Sequence, residues 1–418
     1  MSVNPSEGVQ QRVEDLLAAV AGGSRALICT HDNPDPDSIA SAFALGKLLE
    51  VRAGIPFTLT YGGVLGRAEN RAMVRLLKVP LVPITRIDLE EFDVVGLVDT
   101  QPEVGNHSLP AEQCVGKRVI CIDHHPARLL SKNAAFCDVG GDYGATSTAL
   151  TAYLEAAKVV PEPSLATALF YGIKSDTRDL GREVSAADVW AYSHLAALTD
   201  MSLVSAIEHP RLPRAYFAVL MRAIHRAQIT DNVVVVDLGE VYIPDMVPET
   251  ADRLVQAEGV RWSIVVGEHD GNIYCSIRVN DRRFSAGKLV RELIKQYPEG
   301  SAGGHGSMAG MRIPLPFREQ PRGARTRARR ALLKKLKNEL GVPKDARSEP
   351  FAPASIADAS DLRGANGAQR RDVPSNKRDV APPADGTVHG APREETCVPV
   401  EPVRKGADVS SPQGPNRA

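Results

Sequence analysis

One stretch near the start of the chain decides the fold class: ALICTHDNPDPDS, residues 26–38. The apolar run Ala26 to Cys29 has the pattern of a buried strand, and a helical apolar pattern follows the polar loop from Ile39 to Leu49. Further strands are predicted at 57–61, 94–98 and 119–122, with helices at 68–77, 146–157, 164–175, 186–198 and 213–227. Strands that alternate with helices favour an α/β domain, a parallel sheet with helices on both faces.

The pattern of strands and helices restarts after about residue 228. Strands are predicted at 233–236, 264–266 and 273–279, and helices near 250–257 and 286–296. This restart predicts a second, smaller α/β domain across a cleft from the first. We therefore divide the chain into an N-terminal domain (1–200), a helical linker (201–228), a C-terminal domain (229–316), a basic helix (317–343) and a tail (344–418).

The last two segments differ from the rest in composition. Residues 322–337 contain eight Lys or Arg and no acid, with leucines at helical spacing. This helix either contacts nucleic acid or packs its leucines on the domain beside a solvated basic face, and we favour the second interpretation. Ten of the thirty prolines fall between Pro350 and Pro415. Such a segment buries too little apolar surface to fold, so we expect disorder there.

Composition excludes several classes of protein. Fifty Lys and Arg against fifty-one Asp and Glu leave a net charge of −1, so no global field recruits a membrane surface or a long nucleic-acid duplex. No apolar stretch approaches the roughly 18 residues of a membrane span. The polar first eleven residues lack the pattern of a secretion signal, so we expect a cytoplasmic protein. The six cysteines lack paired spacing, which predicts reduced thiols rather than disulfides.

Acidic residues and histidines follow the predicted strands. Ligands of an open parallel sheet bind at the carboxyl ends of its strands. In this sequence these positions hold His31, Asp35, Asp37, Asp99 and the run Asp123-His124-His125, and a later helix ends at Asp176. Taken singly, each has a simpler explanation: Asp37 or Ser38 could cap the helix that follows, and Asp176 could be an ordinary helix-end residue. Together they favour one shared site.

Crowded carboxylates raise each other's pKa unless a cation neutralises them. Mixed imidazole and carboxylate ligands suit Mn²⁺, Mg²⁺ or Fe²⁺ better than a structural zinc. In a site with two such ions, a shared water becomes acidic and the oxygens of a phosphoryl group are clamped. The sequence therefore predicts phosphoester hydrolysis with two divalent cations, which can be Mn²⁺, Mg²⁺ or Fe²⁺.

These motifs resemble the four-motif signature of the DHH phosphoesterases. The second half resembles the DHH-associated C-terminal domain, through Gly303-Gly304-His305, Ala309-Gly310 and Arg278. The resemblance implies a first ion held by His31, Asp35 and Asp99. It implies a second ion held by Asp37, Asp99, His124 and Asp176, with Asp99 as the bridge. It also places His125 at the substrate phosphate and gives Asp123 the role of orienting a ligand.

The second domain is expected to select the substrate. Gly303 and Gly304 allow a ligand close to the backbone, and Arg278 and His305 can bind a phosphate or stack on a base. Arg178 stands where the oligonucleotide-degrading members commonly have glycine. It either contacts a substrate phosphate or forms an outward ion pair with Asp179. A further cation after the second strand, in 66–71, lies either at the crevice mouth or on a solvated helix start.

The two-domain length is similar to that of short-chain family members. These degrade very short oligoribonucleotides, dephosphorylate 3′,5′-bisphosphate adenosine, or hydrolyse dinucleotides. We see no counterpart of the Arg-Lys-Lys signature of the pyrophosphatase branch. The predicted function is Mn²⁺-dependent hydrolysis of short nucleotides by a metal-activated water. The alternatives are a single-strand DNA exonuclease and a non-catalytic nucleotide-binding protein, and a homodimer stays open.

Overall fold

The computed structural model describes residues 6–102, 104–127, 134–281, 283–315, 322–343 and 345–351. All of these residues belong to one compact unit. Most of the predicted tail, residues 352–418, lies outside the described residues. Among the described helices, none combines the length and the apolar composition that crossing a membrane requires.

The first domain is built on a six-stranded parallel sheet, which confirms the predicted fold class. Its strands are β1 (Ala26–Cys29), β2 (Phe57–Tyr61), β3 (Leu81–Pro83), β4 (Val94–Val98), β5 (Arg118–Asp123) and β6 (Phe136–Val139). The order across the sheet is β3-β2-β1-β4-β5-β6. The strand order therefore reverses between β1 and β4, and a crevice opens beyond their carboxyl ends. The acidic loop after β1 and the residue after β4 meet at this point.

Seven helices are described in the first domain. They are α1 (Ser6–Ala19), α2 (Pro36–Ala53), α3 (Ala68–Leu76), α4 (Thr146–Ala156), α5 (Pro163–Asp176), α6 (Ala186–Ala196) and α7 (Met201–Glu208). All seven contribute to one apolar core, which also takes Ala26 and Ile28 from β1. The alternate residues Leu27 and Cys29 face the opposite side of the sheet. The prediction of helices on both faces is therefore wrong in this respect: among the described residues, the second face is covered by single 3₁₀ turns and not by α-helices. Pro102, Gly105 and Pro110 interrupt the chain between β4 and β5, which disfavours a helix there.

The second domain contains a seven-stranded mixed sheet, in agreement with the predicted second α/β domain. Its strands are β7 (Gln228–Thr230), β8 (Val233–Glu240), β9 (Trp262–His269), β10 (Asn272–Val279), β11 (Ser301–His305), β12 (Met308–Pro314) and β13 (Glu349–Pro350). The order across this sheet is β11-β12-β10-β9-β8-β7-β13. Among the described strands of this second sheet, only β8 and β9 pair in parallel, and the other neighbours are antiparallel. Its helices are α8 (Arg214–Arg226), α9 (Met246–Leu254), α10 (Ala286–Ile294) and α11 (Arg322–Glu339).

The predicted linker and tail take part in these domains. Helix α7 buries Val204 and Ile207 in the first core, whereas α8 buries Val219 and Ala223 in the second domain. Strand β13 pairs with β7, and the next residue, Phe351, donates its backbone N–H to Ala227. Ordered structure therefore continues past residue 344, where we placed the start of the tail.

The basic helix α11 is part of the second core. Leu332 and Leu336 are buried against residues of the second sheet such as Ile264, whereas Lys334 points to solvent. Replacing Leu336 by alanine should lower the free energy of unfolding by about 2–5 kcal/mol, because a fully buried leucine leaves a cavity. The control Lys334→Ala should change it by less than about 0.5 kcal/mol. Denaturant unfolding measures both free energies. Equal changes in the two variants would show that the packing of Leu336 does not stabilise the protein.

Cys29, Cys114, Cys121 and Cys275 are free thiols, in agreement with the sequence prediction. Cys29 and Cys275 are buried in strands, and burial raises the pKa of each to about 12. Such thiols stay protonated and unreactive at neutral pH.

Candidate metal centre

The loop after β1 brings three of the predicted ligands to the start of α2. Asp35 is the cap of this helix, since its Oδ1 accepts the backbone N–H of Ser38 at 3.0 Å. The cap is therefore neither Asp37 nor Ser38, the two residues that the sequence suggested. His31 Nε2 lies 3.6 Å from Asp35 Oδ1 and 3.5 Å from Asp99 Oδ2. Its Nδ1 lies 2.9 Å from the carbonyl of Asp32, which fixes the orientation of the ring.

Asp37 is fixed by the start of α4. The backbone N–H groups of Thr146 and Ser147 donate to its two carboxylate oxygens at 2.7 and 2.8 Å. The amino-terminal end of a helix carries a partial positive charge, which favours a carboxylate at this place. Only 1% of the Asp37 surface is exposed. The side chain therefore points into the protein, towards the crevice residues, in a single orientation.

Asp99 follows β4 with a backbone φ of 57°, in the left-handed region. Aspartate tolerates this conformation better than most residues. Thr146 Oγ1 donates to Asp99 Oδ1 at 3.0 Å, and the carboxylate is almost fully buried. Its two oxygens face different partners, because Oδ2 approaches His31 while Oδ1 lies 3.7 Å from His124 Nε2.

The end of β5 supplies the histidine pair. His124 Nε2 lies 3.4 Å from Asp176 Oδ2, at the last residue of α5. The Nδ1 of His125 lies 2.8 Å from Asp123 Oδ1 and 3.5 Å from Asp99 Oδ1. The side chain of His125 is 40% exposed, so it is accessible from the crevice.

The structure brings together the eight residues predicted for the metal centre, whereas Arg178, the ninth predicted residue of the first domain, is not among them. Three overlapping groups have ligand atoms within 4.8 Å of one another: His31, Asp35 and Asp99; Asp37, His124 and Asp176; and Asp99, Asp123, His124 and His125. The first group contains the three ligands that the resemblance implies for one ion, and the second contains three of the four implied for the other, without Asp99. Asp99 is near both groups, as a bridging ligand must be.

The electrostatics of this cluster fit divalent cations. Burial, with the neighbouring charges of Asp99 and Asp176, raises the pKa of Asp37 to about 8. Burial also raises the pKa of Asp176 to about 6, with help from Asp35 and Asp99 and against the effect of His124. A cation would remove this repulsion. Carboxylates with imidazoles are donors that Mn²⁺, Mg²⁺ and Fe²⁺ accept, so the residues present fit the expected metal ions.

Comparison with known proteins gives the family. The model of the DHH family N-terminal domain matches residues 25–173, and the DHHA1 domain model matches residues 230–342. The chain belongs to the DHH family. The first domain is therefore called the DHH domain below, and the second the DHHA1 domain.

Three relatives illustrate the similarity. The uncharacterized protein MJ1633 of Methanocaldococcus jannaschii is 37% identical over 290 residues, which cover 69% of this chain and 58% of that protein. The chain thus spans little more than half the length of this relative. An exopolyphosphatase-related protein from Bacteroides fragilis shares the fold, with a TM-score of 0.62 at 15% identity over 78% of this chain and 97% of that one. RecJ of Thermus thermophilus, in complex with Mn²⁺, has a TM-score of 0.44 at 14% identity, over 81% of this chain and 54% of that one.

Several DHH-domain residues that support the cluster were not found by sequence analysis. Gln101 Nε2 donates to Asp123 Oδ2 at 2.7 Å, which leaves Oδ1 facing His125. Arg182 donates to the main-chain carbonyl of Asp176 and lies 3.4 Å from its Oδ1. A predicted helix start at residue 146 was a weak signal for Thr146. No motif marks Gln101 or Arg182, which reach the cluster through loops.

Replacing Thr146 by valine tests the hydrogen bond from the Thr146 hydroxyl to Asp99. The change keeps the shape of the side chain but removes the hydroxyl that donates to Asp99. We expect the dissociation constant for Mn²⁺ to rise about 10–100-fold, as is typical when a ligand loses its hydrogen-bonding partner. Thr146→Ser keeps the hydroxyl and should bind Mn²⁺ almost as tightly as the unchanged protein. Calorimetric titration measures both, and an unaltered affinity in the valine variant would show that the hydroxyl has no such role.

The predicted substrate residues of the DHHA1 domain have distinct environments. Arg278 is buried on β10, where its Nε donates to Asp252 Oδ1 at 2.6 Å and its Nη1 to Ser276 Oγ at 2.7 Å. A Cβ added at Gly303 would meet open space, whereas Gly304 has a φ of 138° and lies against the backbone of β12. Gly304 is therefore required by the fold, and Gly303 leaves room beside the strand. His305 ends β11, but its side chain lies outside the described residues.

Arg178 was predicted either at a substrate phosphate or in an ion pair with Asp179. The structure places it in an exposed turn with a φ of 50°. Asp179 is bound by other groups, Lys174 Nζ at 2.8 Å and the Tyr192 hydroxyl at 2.7 Å. The charge of Arg178 contributes, after those of Arg278 and Arg67, to lowering the pKa of Asp252 in the DHHA1 domain.

Proposed function

We propose that the chain is a metal-dependent phosphoesterase that hydrolyses short nucleotides. One observation carries this proposal: the predicted ligands, which come from four separate segments, converge in two groups, and Asp99 of the first group lies 3.7 Å from His124 Nε2 of the second. Buried carboxylates are costly unless they are paired or bind a cation. A structural role alone does not account for this many acids and imidazoles at the crevice.

The proposed ligand sets follow the two groups. His31, Asp35 and Asp99 would hold one ion, and Asp37, His124 and Asp176 the other. Asp99 would also bind the second ion as a bridge, because its Oδ1 lies 3.7 Å from His124 Nε2. Mn²⁺ is the proposed ion, with Mg²⁺ or Fe²⁺ as the chemically similar choices. Two such cations supply an acidified water and stabilise negative charge on the phosphoryl oxygens when they are bound.

His125 is proposed to contact the substrate phosphate. Burial opposes protonation of the ring, but the hydrogen bond to Asp123 and the charges of Asp99, Asp123 and Asp176 raise the pKa of His125 to about 10. In the metal-free protein these charges favour the protonated ring. Asp123 holds its Nδ1, so the ring keeps one orientation and can donate a proton or a hydrogen bond to developing charge.

A short nucleotide fits the second domain better than a long strand does. Arg278 is buried, so it can bind a single phosphate that enters the crevice but not a strand that runs along the surface. Gly303 leaves space for a sugar or base beside β11. Selectivity would then come from holding the part of the substrate that does not react.

Product analysis tests the proposal. The full chain with Mn²⁺ is incubated with linear dinucleotides, 3′,5′-bisphosphate adenosine, cyclic di-AMP, pyrophosphate and a long single-stranded DNA. We expect hydrolysis of a dinucleotide or of the bisphosphate, and no turnover of pyrophosphate. The proposal would be contradicted if the protein cleaved only pyrophosphate, only the long DNA, or none of these substrates.

The exonuclease alternative rested on the basic helix α11. In the structure Arg329 pairs with Asp237 at 2.7 Å and Glu268 at 2.5 Å, and Arg325 also pairs with Glu268. Part of the basic charge therefore faces inward and is neutralised. This arrangement favours the packing role of α11 over a contact with DNA.

A further inference from the structure

A groove of about 1010 Å³ lies on the DHHA1 domain between helices α8 and α11, and the end of β8 contributes to its lining. The groove is rich in arginine, with Arg222 and Arg226 from α8 and Arg325, Arg329 and Arg330 from α11. The acids that line it are Asp237, Glu240 and Glu268. Five cations against three acids leave an excess of two positive charges in the groove.

Helix α11 uses two of these acids. Arg329 pairs with Asp237 at 2.7 Å and with Glu268 at 2.5 Å, and Arg325 also pairs with Glu268. The Nε of Arg325 is buried and has no acceptor among the described residues, so this donor is available to a ligand. The third acid, Glu240, is exposed, and within the described parts of the chain it forms no ion pair with an arginine. The acids therefore neutralise the cations of α11 better than those of α8.

The two arginines of α8 donate to main-chain carbonyls. Arg222 Nη1 lies 3.2 Å from the carbonyl oxygen of Leu238 and 3.1 Å from that of Glu240. Arg226 Nη1 lies 3.3 Å from the same oxygen of Leu238 and 3.4 Å from that of Asp237. A carbonyl carries only a partial charge, so it neutralises a guanidinium group less well than an ionised acceptor does. Two positive charges therefore share one carbonyl oxygen.

An irregularity in β8 brings the cations of both helices together. The pairing of β8 with β9 shifts register between Asp237 and Glu240, and Gly239 between them has a φ of 71°. A Cβ at Gly239 would lie 3.3 Å from Arg226 Nη1 and 4.0 Å from Arg329 Nη2. Glycine permits this backbone conformation and keeps the point between the two guanidinium groups free of a side chain. Cations of α8 and α11 therefore approach one point from two sides.

The charge and the walls of the groove indicate the class of ligand. A phosphate monoester carries about two negative charges at neutral pH, which matches the excess of two cations. Guanidinium groups bind phosphate oxygens in a forked geometry. The small side chain of Ala218 and the ring of Tyr242, which is 41% exposed, also line the groove. An exposed aromatic ring can stack on a base, and pockets of about 300–1,000 Å³ hold small organic ligands.

We propose that this groove binds a nucleoside monophosphate, with its phosphate at Arg222 and Arg226 and its base towards Tyr242. The phosphate replaces the carbonyl contacts of the two arginines with stronger hydrogen bonds between charged groups. The residues that line the groove include none of the proposed metal ligands and neither Arg278 nor Gly303. The groove is therefore a second ligand site, and the inference does not depend on the proposed function.

Calorimetric titration of AMP into the full chain with Mn²⁺ tests this site. The double variant Arg222→Gln with Arg226→Gln removes the proposed phosphate contacts. The control Arg214→Gln removes one exposed cation of α8 that does not line the groove. We expect one AMP-binding event to weaken at least about tenfold in the double variant, and less than about twofold in the control. An unchanged chain that binds no AMP, or a double variant with unaltered affinities, overturns the inference.

A second pair of variants leaves both arginines in place. Ala218 is exposed on α8 and lines the groove. Ala218→Glu adds a negative charge there, and Ala218→Gln adds a side chain of the same size without the charge. We expect AMP to bind at least about fivefold more weakly to Ala218→Glu than to Ala218→Gln, because like charges repel. Equal affinities in these two variants overturn the inference even if the double variant does not fold.

Two further probes separate the parts of the ligand. Adenosine lacks the phosphate, and inorganic phosphate lacks the sugar and the base. We expect each to bind to the unchanged chain at least about tenfold more weakly than AMP at the site that the double variant removes. Adenosine that binds as tightly as AMP would show that the phosphate is not recognised. Inorganic phosphate that binds as tightly as AMP would show that the groove recognises an anion alone, and either result overturns the assignment of a nucleotide.

Discussion

Replacing Asp99 by asparagine should lower the rate of dinucleotide hydrolysis by more than about a thousandfold, the upper range for losing one electrostatic contact to a transition state. Asp99 is the carboxylate near both ligand groups, with Oδ2 3.5 Å from His31 and Oδ1 3.7 Å from His124. Asparagine keeps the size of the side chain but removes the charge, so both proposed ions lose a ligand. The loss should appear in kcat, because the substrate-binding residues of the DHHA1 domain are unchanged.

The control for Asp99→Asn is Asp15→Asn on α1. Asp15 is exposed, and it accepts a hydrogen bond from Gln11 of the same helix. This variant should keep the rate of the unchanged protein. Both proteins are compared by circular dichroism to show that they are folded. An Asp99→Asn protein that retains full activity with Mn²⁺ would rule out the proposed bridging ligand.

Mn²⁺ should also stabilise the fold strongly. At a hundredfold excess over its dissociation constant, a ligand adds about 2.7 kcal/mol to the free energy of unfolding. For a domain of this size, that corresponds to a rise in melting temperature of about 5–11 °C. The physical reason is the repulsion in the metal-free cluster, where Asp37 and Asp176 have raised pKa values.

The matched variant for this measurement is Asp37→Asn. It removes one acid from the cluster and one proposed ligand of the second ion, while the first group, His31, Asp35 and Asp99, stays complete. We expect the rise with Mn²⁺ to be at least halved in this variant. A thermal melt with and without Mn²⁺ measures it. Equal rises in the two proteins would mean that Asp37 does not bind the metal.

The sequence predicts the DHH domain well because its signals are local and strong. Strand β1 is an uninterrupted apolar run, and the prolines and acids after it mark the loop at which α2 begins. The sheet and the metal-ligand cluster follow, since parallel strands bring their carboxyl ends to one edge. Each motif could therefore be placed without knowledge of the other contacts.

Other features depend on contacts between distant residues. Strands β11 and β12 include three glycines within 303–310, which hide the apolar alternation that marks a strand. Thr146 and Arg182 are ordinary residues until the fold places them beside Asp99 and Asp176. The pairing of Asp252 with Arg67 joins two domains that are far apart in the chain. No local pattern encodes such contacts.

The most direct test is a titration of Mn²⁺ into the metal-free full chain while hydrolysis of a linear dinucleotide is followed. Bound metal is determined in the same samples. We predict no hydrolysis without a divalent cation, and a rate that reaches its plateau when two ions are bound per chain. Full activity in the absence of added cation, or with a single bound ion, would contradict the two-ion centre on which the proposed function depends.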